Sequence, residues 1–90
     1  MKLIYCRSCG DIRALRAESE ARCFCGASGG QYRSDGVHAD IAGPCVPLGV
    51  ANMSFEAALA APPREDGRGN SFEAFVITEP CETIHRPADP

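Results

Sequence analysis

Ninety residues with a formal charge of −3, six cysteines and no tryptophan describe one small acidic domain, just under the usual range of about 100–200 residues. Of the hydrophobic 44%, 13 residues are Ala and 6 are Cys, so only 21 larger apolar side chains remain to build a core; at this size a core alone supplies roughly 3–5 kcal/mol, which points to an added staple. No apolar run approaches the ~20 residues of a membrane-spanning helix, and the run Leu3–Tyr5 is far short of the ~7–15-residue core of a secretory signal, so a cytoplasmic, reducing location is expected.

Leu3 to Tyr5 reads as a short strand leading into Cys6-Arg7-Ser8-Cys9-Gly10. A C-x2-C pair closed by Gly turns the backbone tightly around an ion and places both thiolates on one side, because Gly supplies the positive φ that ends the turn. The spacer Asp11 to Arg22 has helix-favouring Ala, Leu, Arg and Glu, with Asp11 available as an N-cap. A hairpin turning near Glu18 to Glu20 would instead return the chain to the first pair, and that hairpin is the expectation. Cys23-Phe24-Cys25-Gly26 follows, and on an extended segment positions i and i+2 face the same side. Cys6, Cys9, Cys23 and Cys25 can thus present four thiolates to one ion, with the ~2.3 Å bonds of structural zinc.

This part of the chain resembles a zinc ribbon, a rubredoxin-like pair of four-cysteine knuckles, and is similar to short bacterial or phage proteins that carry a ribbon at the N-terminus and have no established activity. The likeness covers residues 1–28 and departs from the usual pattern twice. Its second knuckle is C-x-C, and its 13-residue spacer is shorter than the common 15–20 or so. Iron of the rubredoxin type would use two C-x2-C-G knuckles and only the first is present, so zinc is the expected ion. Four thiolates close the coordination sphere, which marks a structural and not a catalytic zinc. Six cysteines could otherwise form three disulfides, but two close pairs each followed by Gly favour a metal.

Residues 29–90 are expected to form a β-rich extension of the ribbon within one cooperative domain. Ala27 to Gly30 reads as a closing loop. Gln31–Arg33 and Val37–Ile41 flank Ser34-Asp35-Gly36, and Asp-Gly is a strong hairpin turn. Val37, Ala39 and Ile41 then share the apolar face, and His38 with Asp40 the other. Cys45 to Ala51 contains Pro47, which predicts an edge strand or one that begins after the proline. Ser54 caps a short helix near residues 55–61, ended by Pro62-Pro63. Pro62 to Asn70 reads as a mobile loop, Ser71 to Thr78 as a central strand, Glu82 to His85 as a short extended piece and Arg86 to Pro90 as a frayed tail. The fold class is therefore small, mixed and mostly β: an N-terminal four-cysteine ribbon continuing into antiparallel hairpins with one helix.

His38 and Asp40 on one strand face form a candidate polar site, a base beside an orienting carboxylate, but no nucleophile accompanies them. Cys45 and Cys81 remain after the metal takes four cysteines. They read as small core residues, with a reactive or intermolecular thiol, or a second site shared with His38 and His85, as the alternatives. No phosphate loop, nucleophile elbow or His-Glu-x-x-His occurs. Residues 1–28 carry a charge of +2 and residues 29–90 a charge of −5; four thiolates on a divalent ion make the loaded ribbon nearly neutral. Nucleic-acid affinity rests on Lys and Arg neutralising phosphates, and Arg13 with Arg16 is a thin patch for that. The expected function is a non-enzymatic, zinc-stabilised module that binds another protein. A nucleic-acid-binding ribbon, an iron electron carrier and a small enzyme using His38 and Asp40 are the alternatives.

Overall fold

A computed structural model describes residues 1–87. Among these, eight strands and one helix follow in the order β1 (Lys2–Cys6), β2 (Ile12–Ala14), β3 (Ala21–Arg22), β4 (Gly29–Tyr32), β5 (Ala39–Ala42), β6 (Cys45–Val50), α1 (Asn52–Ala60), β7 (Ala74–Val76) and β8 (Ile84–His85). The strands form two four-stranded sheets, β2-β1-β6-β7 and β3-β4-β5-β8. Every pairing is antiparallel except that of β5 with β8. This is the small, mostly β class expected. No helix among the described residues is long and apolar enough to cross a membrane.

The spacer 11–22 is strand and bend, not helix, but its two strands do not pair with each other. β2 returns along β1, with Tyr5 opposite Ile12 and Leu3 opposite Ala14, while β3 crosses to the second sheet and pairs with β4. Leu15, on the crossing segment, is buried with Ile4 and Cys45 of the first sheet and Ala39, Ile41 and Ile84 of the second. The core is the meeting of these side chains, and Leu15 closes it. The Gly29-Gly30 pair belongs to β4, not to a loop. At Gly30 a β-carbon would lie 3.0 Å from both the Leu15 and the Ile41 side chains, so a residue without one is what lets the core close there.

The Asp-Gly hairpin forms as expected. Gly36 has φ +70, and the Asp35 carboxylate accepts the amides of Val37 and His38, each at 2.9 Å. Ala39 and Ile41 are buried, whereas Val37 precedes the strand and is exposed.

Four expectations for the second half are corrected. β6 is an interior strand despite Pro47, with β1 on one side and β7 on the other. Pro47 O accepts the Ile77 amide at 2.9 Å. An extended residue points its N and C=O to the same side, so the proline nitrogen faces the β7 side, past the last ladder pair Leu48–Val76. The helix begins at Asn52 with Ala51 as N-cap and no side-chain cap; Ser54 lies inside it, and its hydroxyl accepts the Glu73 amide at 2.7 Å. Of Ser71–Thr78 only Ala74–Val76 is strand, and it forms the edge of the first sheet. Arg86 is not frayed, because its guanidinium donates to the carbonyls of Gly43 and Cys45 and to Glu79. The rest of the expected tail, residues 88–90, lies outside the described residues.

The two sheets differ on their outer faces. Register partners share a face, so in the second sheet Gln31, Asp40 and His85 point outward together, the polar-out pattern of a sheet with one wet side. In the first sheet the outward rows are Ile12–Tyr5–Val46, then Ala14–Leu3–Leu48–Val76, then Val50–Ala74. No charged residue is among them, and none of them is buried. Their inward neighbours Ile4, Cys6, Cys45, Pro47 and Gly49 all are.

Candidate metal centre

Each cysteine pair sits in a turn that joins two strands of a hairpin, one hairpin in each sheet. Cys6 ends β1, and the Cys6 carbonyl accepts the Gly10 amide at 2.8 Å while the Cys6 amide donates to Asp11 O at 2.9 Å. Gly10 takes φ +76, where a side chain would be strained. Cys23 follows β3; its carbonyl accepts the Gly26 amide at 3.1 Å, and its amide donates to Ser28 O at 3.0 Å before the chain enters β4. Gly26 repeats the positive φ at +78. Phe24 and Cys25 lie in a turn rather than the extended segment expected, so the C-x-C pair converges because the backbone folds back.

All four sulfurs lie within 4.8 Å of one another. The Cys6–Cys25 separation is 3.8 Å and the Cys23–Cys25 separation 3.6 Å. Four sulfurs around one ion at ~2.3 Å would stand ~3.8 Å apart at the corners of a tetrahedron; these two separations already match that spacing, and the group as a whole is close enough for small side-chain adjustments to bring all four onto one ion. Cys6 and Cys23 are buried, Cys9 is half-buried and Cys25 is exposed. The cluster therefore sits at one end of the two sheets, tying β1 to the turn after β3.

Electrostatics also favour an ion. The Ser28 hydroxyl, fully buried with no partner at hydrogen-bonding distance, is the largest influence pulling the Cys6 thiol down to about 6, against burial. Burial opposes ionisation of Cys23, yet the Ser28 amide, 3.3 Å from its sulfur, helps hold it below an ordinary thiol. At Cys25 the Ala27 amide lowers the pKa, but Cys23, burial, Cys9 and Cys6 together push it up to about 12. Thiolates this close repel, and a divalent cation is what lets all four ionise together. The otherwise unpartnered Ser28 hydroxyl is the main group lowering Cys6, the influence that a donor beside a metal-bound sulfur exerts.

Asp11, read from sequence as a helix cap, joins the two turns instead. Its carboxylate oxygen accepts the Phe24 amide at 2.9 Å and Arg13 Nε at 2.8 Å, and the Arg13 hydrogen bond is the main reason its carboxyl lies below the usual range. Arg22, ion-paired with Glu20, donates to Gly26 O. Ser28 and Asp11 are the supporting residues that sequence reading missed. The signal available for Ser28 was its position just after a C-x-C-G turn, where an amide must face sulfur.

The candidate pair His38 and Asp40 is not assembled. Asp40 accepts Arg33 Nε at 3.0 Å and Nη2 at 2.8 Å, and that contact is the main reason its carboxyl is lowered. The His38 ring meets His85 instead, Nδ1 to Nε2 at 2.8 Å. Among the described residues, the four-cysteine group is the cluster of three or more metal-capable side chains, so His38 and His85 meet without a cysteine completing a second one. Cys45 is buried in the core, where burial raises its thiol. Cys81 borders the core, its sulfur 3.5 Å from the Thr83 hydroxyl. Of the basic pair, Arg13 is bonded to Asp11 while Arg16 is exposed.

The fold and the cluster define a small β protein with a four-cysteine group able to hold a metal ion. Comparison with protein-family models, with curated proteins and with solved structures returns no match to this chain.

Proposed function

We propose that the chain is a zinc-stabilised ribbon module that binds another protein and is not an enzyme. Four cysteine sulfurs gathered within 4.8 Å support a closed, structural zinc, held by Cys6, Cys9, Cys23 and Cys25 and supplying cross-linking of the two sheets where the core is small. The observation that carries the binding reading is the outer face of the first sheet, an uncharged apolar surface of which nothing is buried. A contiguous exposed apolar surface of this kind is where soluble domains commonly bind partners. The charge of −3, made more negative by four thiolates on one divalent ion, supports protein over nucleic acid, as does the Arg13–Asp11 ion pair. A cytoplasmic location belongs to the same reading, since thiolate ligands persist in a reducing compartment.

Metal analysis of the purified protein tests the first half: one zinc per chain and no visible absorption are expected, and a coloured, iron-stoichiometric sample overturns it. The second half is tested by association assays on charged substitutions of the sheet face. Retained metal with lost association supports the reading. Turnover that disappears on His38→Ala or Asp40→Ala, or salt-sensitive nucleic-acid binding lost on Arg13→Ala with Arg16→Ala, refutes it.

A further inference from the structure

We infer that the occupant of the first sheet's outer face is a second copy of this chain, packed sheet against sheet in a two-fold dimer. The inference rests on the protein-binding reading and names the partner.

Strands β1 and β6 carry apolar residues on both faces. That is the pattern of strands covered from both sides, and here only the inner side is covered. Tyr5 is 37% exposed, Ile12 51% and Val76 59%, and they lie in the two longer outward rows with Leu3, Val46 and Leu48 between them. In the second sheet the corresponding positions are Gln31, Asp40 and His85. The first sheet is thus built as an inner layer, and the missing layer is apolar and flat.

Size and charge select a copy of the same face. Four strands at about 4.8 Å spacing and about five residues at 3.3 Å give a surface some 15–20 Å each way. Its exposed apolar area is at most on the order of 600 Å², since five of its nine side chains are only partly exposed, within the range of a monomer's largest patch. Two such faces together remove at most about 1,200 Å² from water, the lower end of specific interfaces. A smaller occupant, such as a single strand or one helix, would leave outward rows wet. The face has no charged side chain and one hydroxyl, that of Tyr5, so it offers nothing to recognise a charged or strongly polar partner. It matches an uncharged sheet of branched aliphatic side chains, and this chain itself presents one.

Aligned sheets pack about 10 Å apart at roughly −30°, with their side chains interdigitating. A two-fold axis through the interface makes it self-complementary. It also turns both second sheets outward, so Asp40 of the two copies stands on opposite sides of the dimer. The net negative charge of each copy opposes association and is screened by salt, so a weak, micromolar dimer is expected.

Sedimentation equilibrium of the zinc-loaded protein over low to high micromolar concentration tests this. A mass rising toward twice the 9.6 kDa chain is expected. Ile12→Glu and Val76→Glu lie at exposed positions on the face and are expected to abolish the dimer while zinc content and circular dichroism stay those of the parent. Met53→Glu, on α1 at a position 85% exposed, is expected to leave it intact. A monomer at every concentration overturns the inference, and so does a dimer that survives both face substitutions. A monomeric parent that still binds a different protein, in a manner lost on Ile12→Glu, overturns the dimer and leaves the protein-binding reading standing. A face whose substitution alters no association removes both.

Discussion

Replacing Cys23 by Ser removes one corner of the sulfur tetrahedron at a position only 5% exposed. The serine hydroxyl is protonated at neutral pH and cannot serve as a fourth thiolate, and it leaves the Ser28 amide without the sulfur it faces at 3.3 Å. A structural zinc contributes about 10–16 kcal/mol to folding, so an even share per ligand is about 2.5–4 kcal/mol. A small core yields roughly 3–5 kcal/mol, and the described core has six buried members. Loss of one ligand is therefore comparable to everything the core contributes. The loss also spreads, because β1 carries both the ligand Cys6 and the core residue Ile4 and pairs with β2 and β6. Cys23→Ser, or chelation of the parent, is expected to abolish the cooperative melt followed by far-ultraviolet circular dichroism. In hydrogen exchange, the Ala39 amide, bonded to Thr83 O, and the Ile84 amide, bonded to Cys81 O, should lose protection together with residues of the first 28. Parent-like protection at Ala39 and Ile84 in the variant would show that the metal holds only its own end. A melt within a few degrees of the parent would refute the staple altogether.

Gly43→Ala tests the contact between the β5–β6 turn and the second cysteine turn: Gly43 has φ +93, and a β-carbon there would run into the Ala27 carbonyl and approach Ser28 Cα to 2.8 Å. A cost above about 2 kcal/mol in urea unfolding is expected, and an unchanged midpoint would refute it. Arg86→Ala strips donors from the carbonyls of Gly43 and Cys45 and should cost about 1–3 kcal/mol; Arg86→Lys should recover only part, since one ammonium cannot span both carbonyls and Glu79. Asp35→Asn tests a titration. The amides of Val37 and His38 hold the Asp35 carboxyl below its ordinary value, so its contribution is complete above the unfolded pKa, near ~3.9, and is lost as pH falls through the lower folded value. The stability gap between parent and variant should be constant near neutrality and close in acid; a gap that widens in acid has the wrong sign.

Local chemistry was legible wherever a few adjacent residues set the backbone. The first Gly-closed cysteine turn and the Asp35-Gly36 hairpin formed where read, because each depends on a positive φ and on hydrogen bonds within about five residues; the second cysteine pair was read as extended and is a turn closed by Gly26 in the same way. Readings that depended on a distant partner were not legible. Pro47 looked like an edge residue because the direction of its nitrogen relative to β7 is set by pairing nearly thirty residues away. Asp40 took Arg33, and His38 took His85 from β8, so alternation along one strand correctly grouped two residues that then found different partners. Ser71–Thr78 looked central from its apolar content, yet its aromatic residues serve a sheet edge and α1: Phe75 lies over Gly49, where a side chain would collide with its ring, and Phe72 meets Phe55 edge-on at 4.8 Å.

By itself the sequence determined the class of the protein: a small β chain, too poor in large apolar residues to rest on its core, with four thiols spaced to meet. Only the tertiary structure decided that the two cysteine turns belong to different sheets, so that an ion between them fastens the whole fold and not one hairpin. It also decided which side of each strand is covered. Alternation assigns residues to two faces, but a strand such as β6, apolar on both, leaves it open which face meets the core, and closure of the chain around Leu15 turned Val46, Leu48 and Val50 outward.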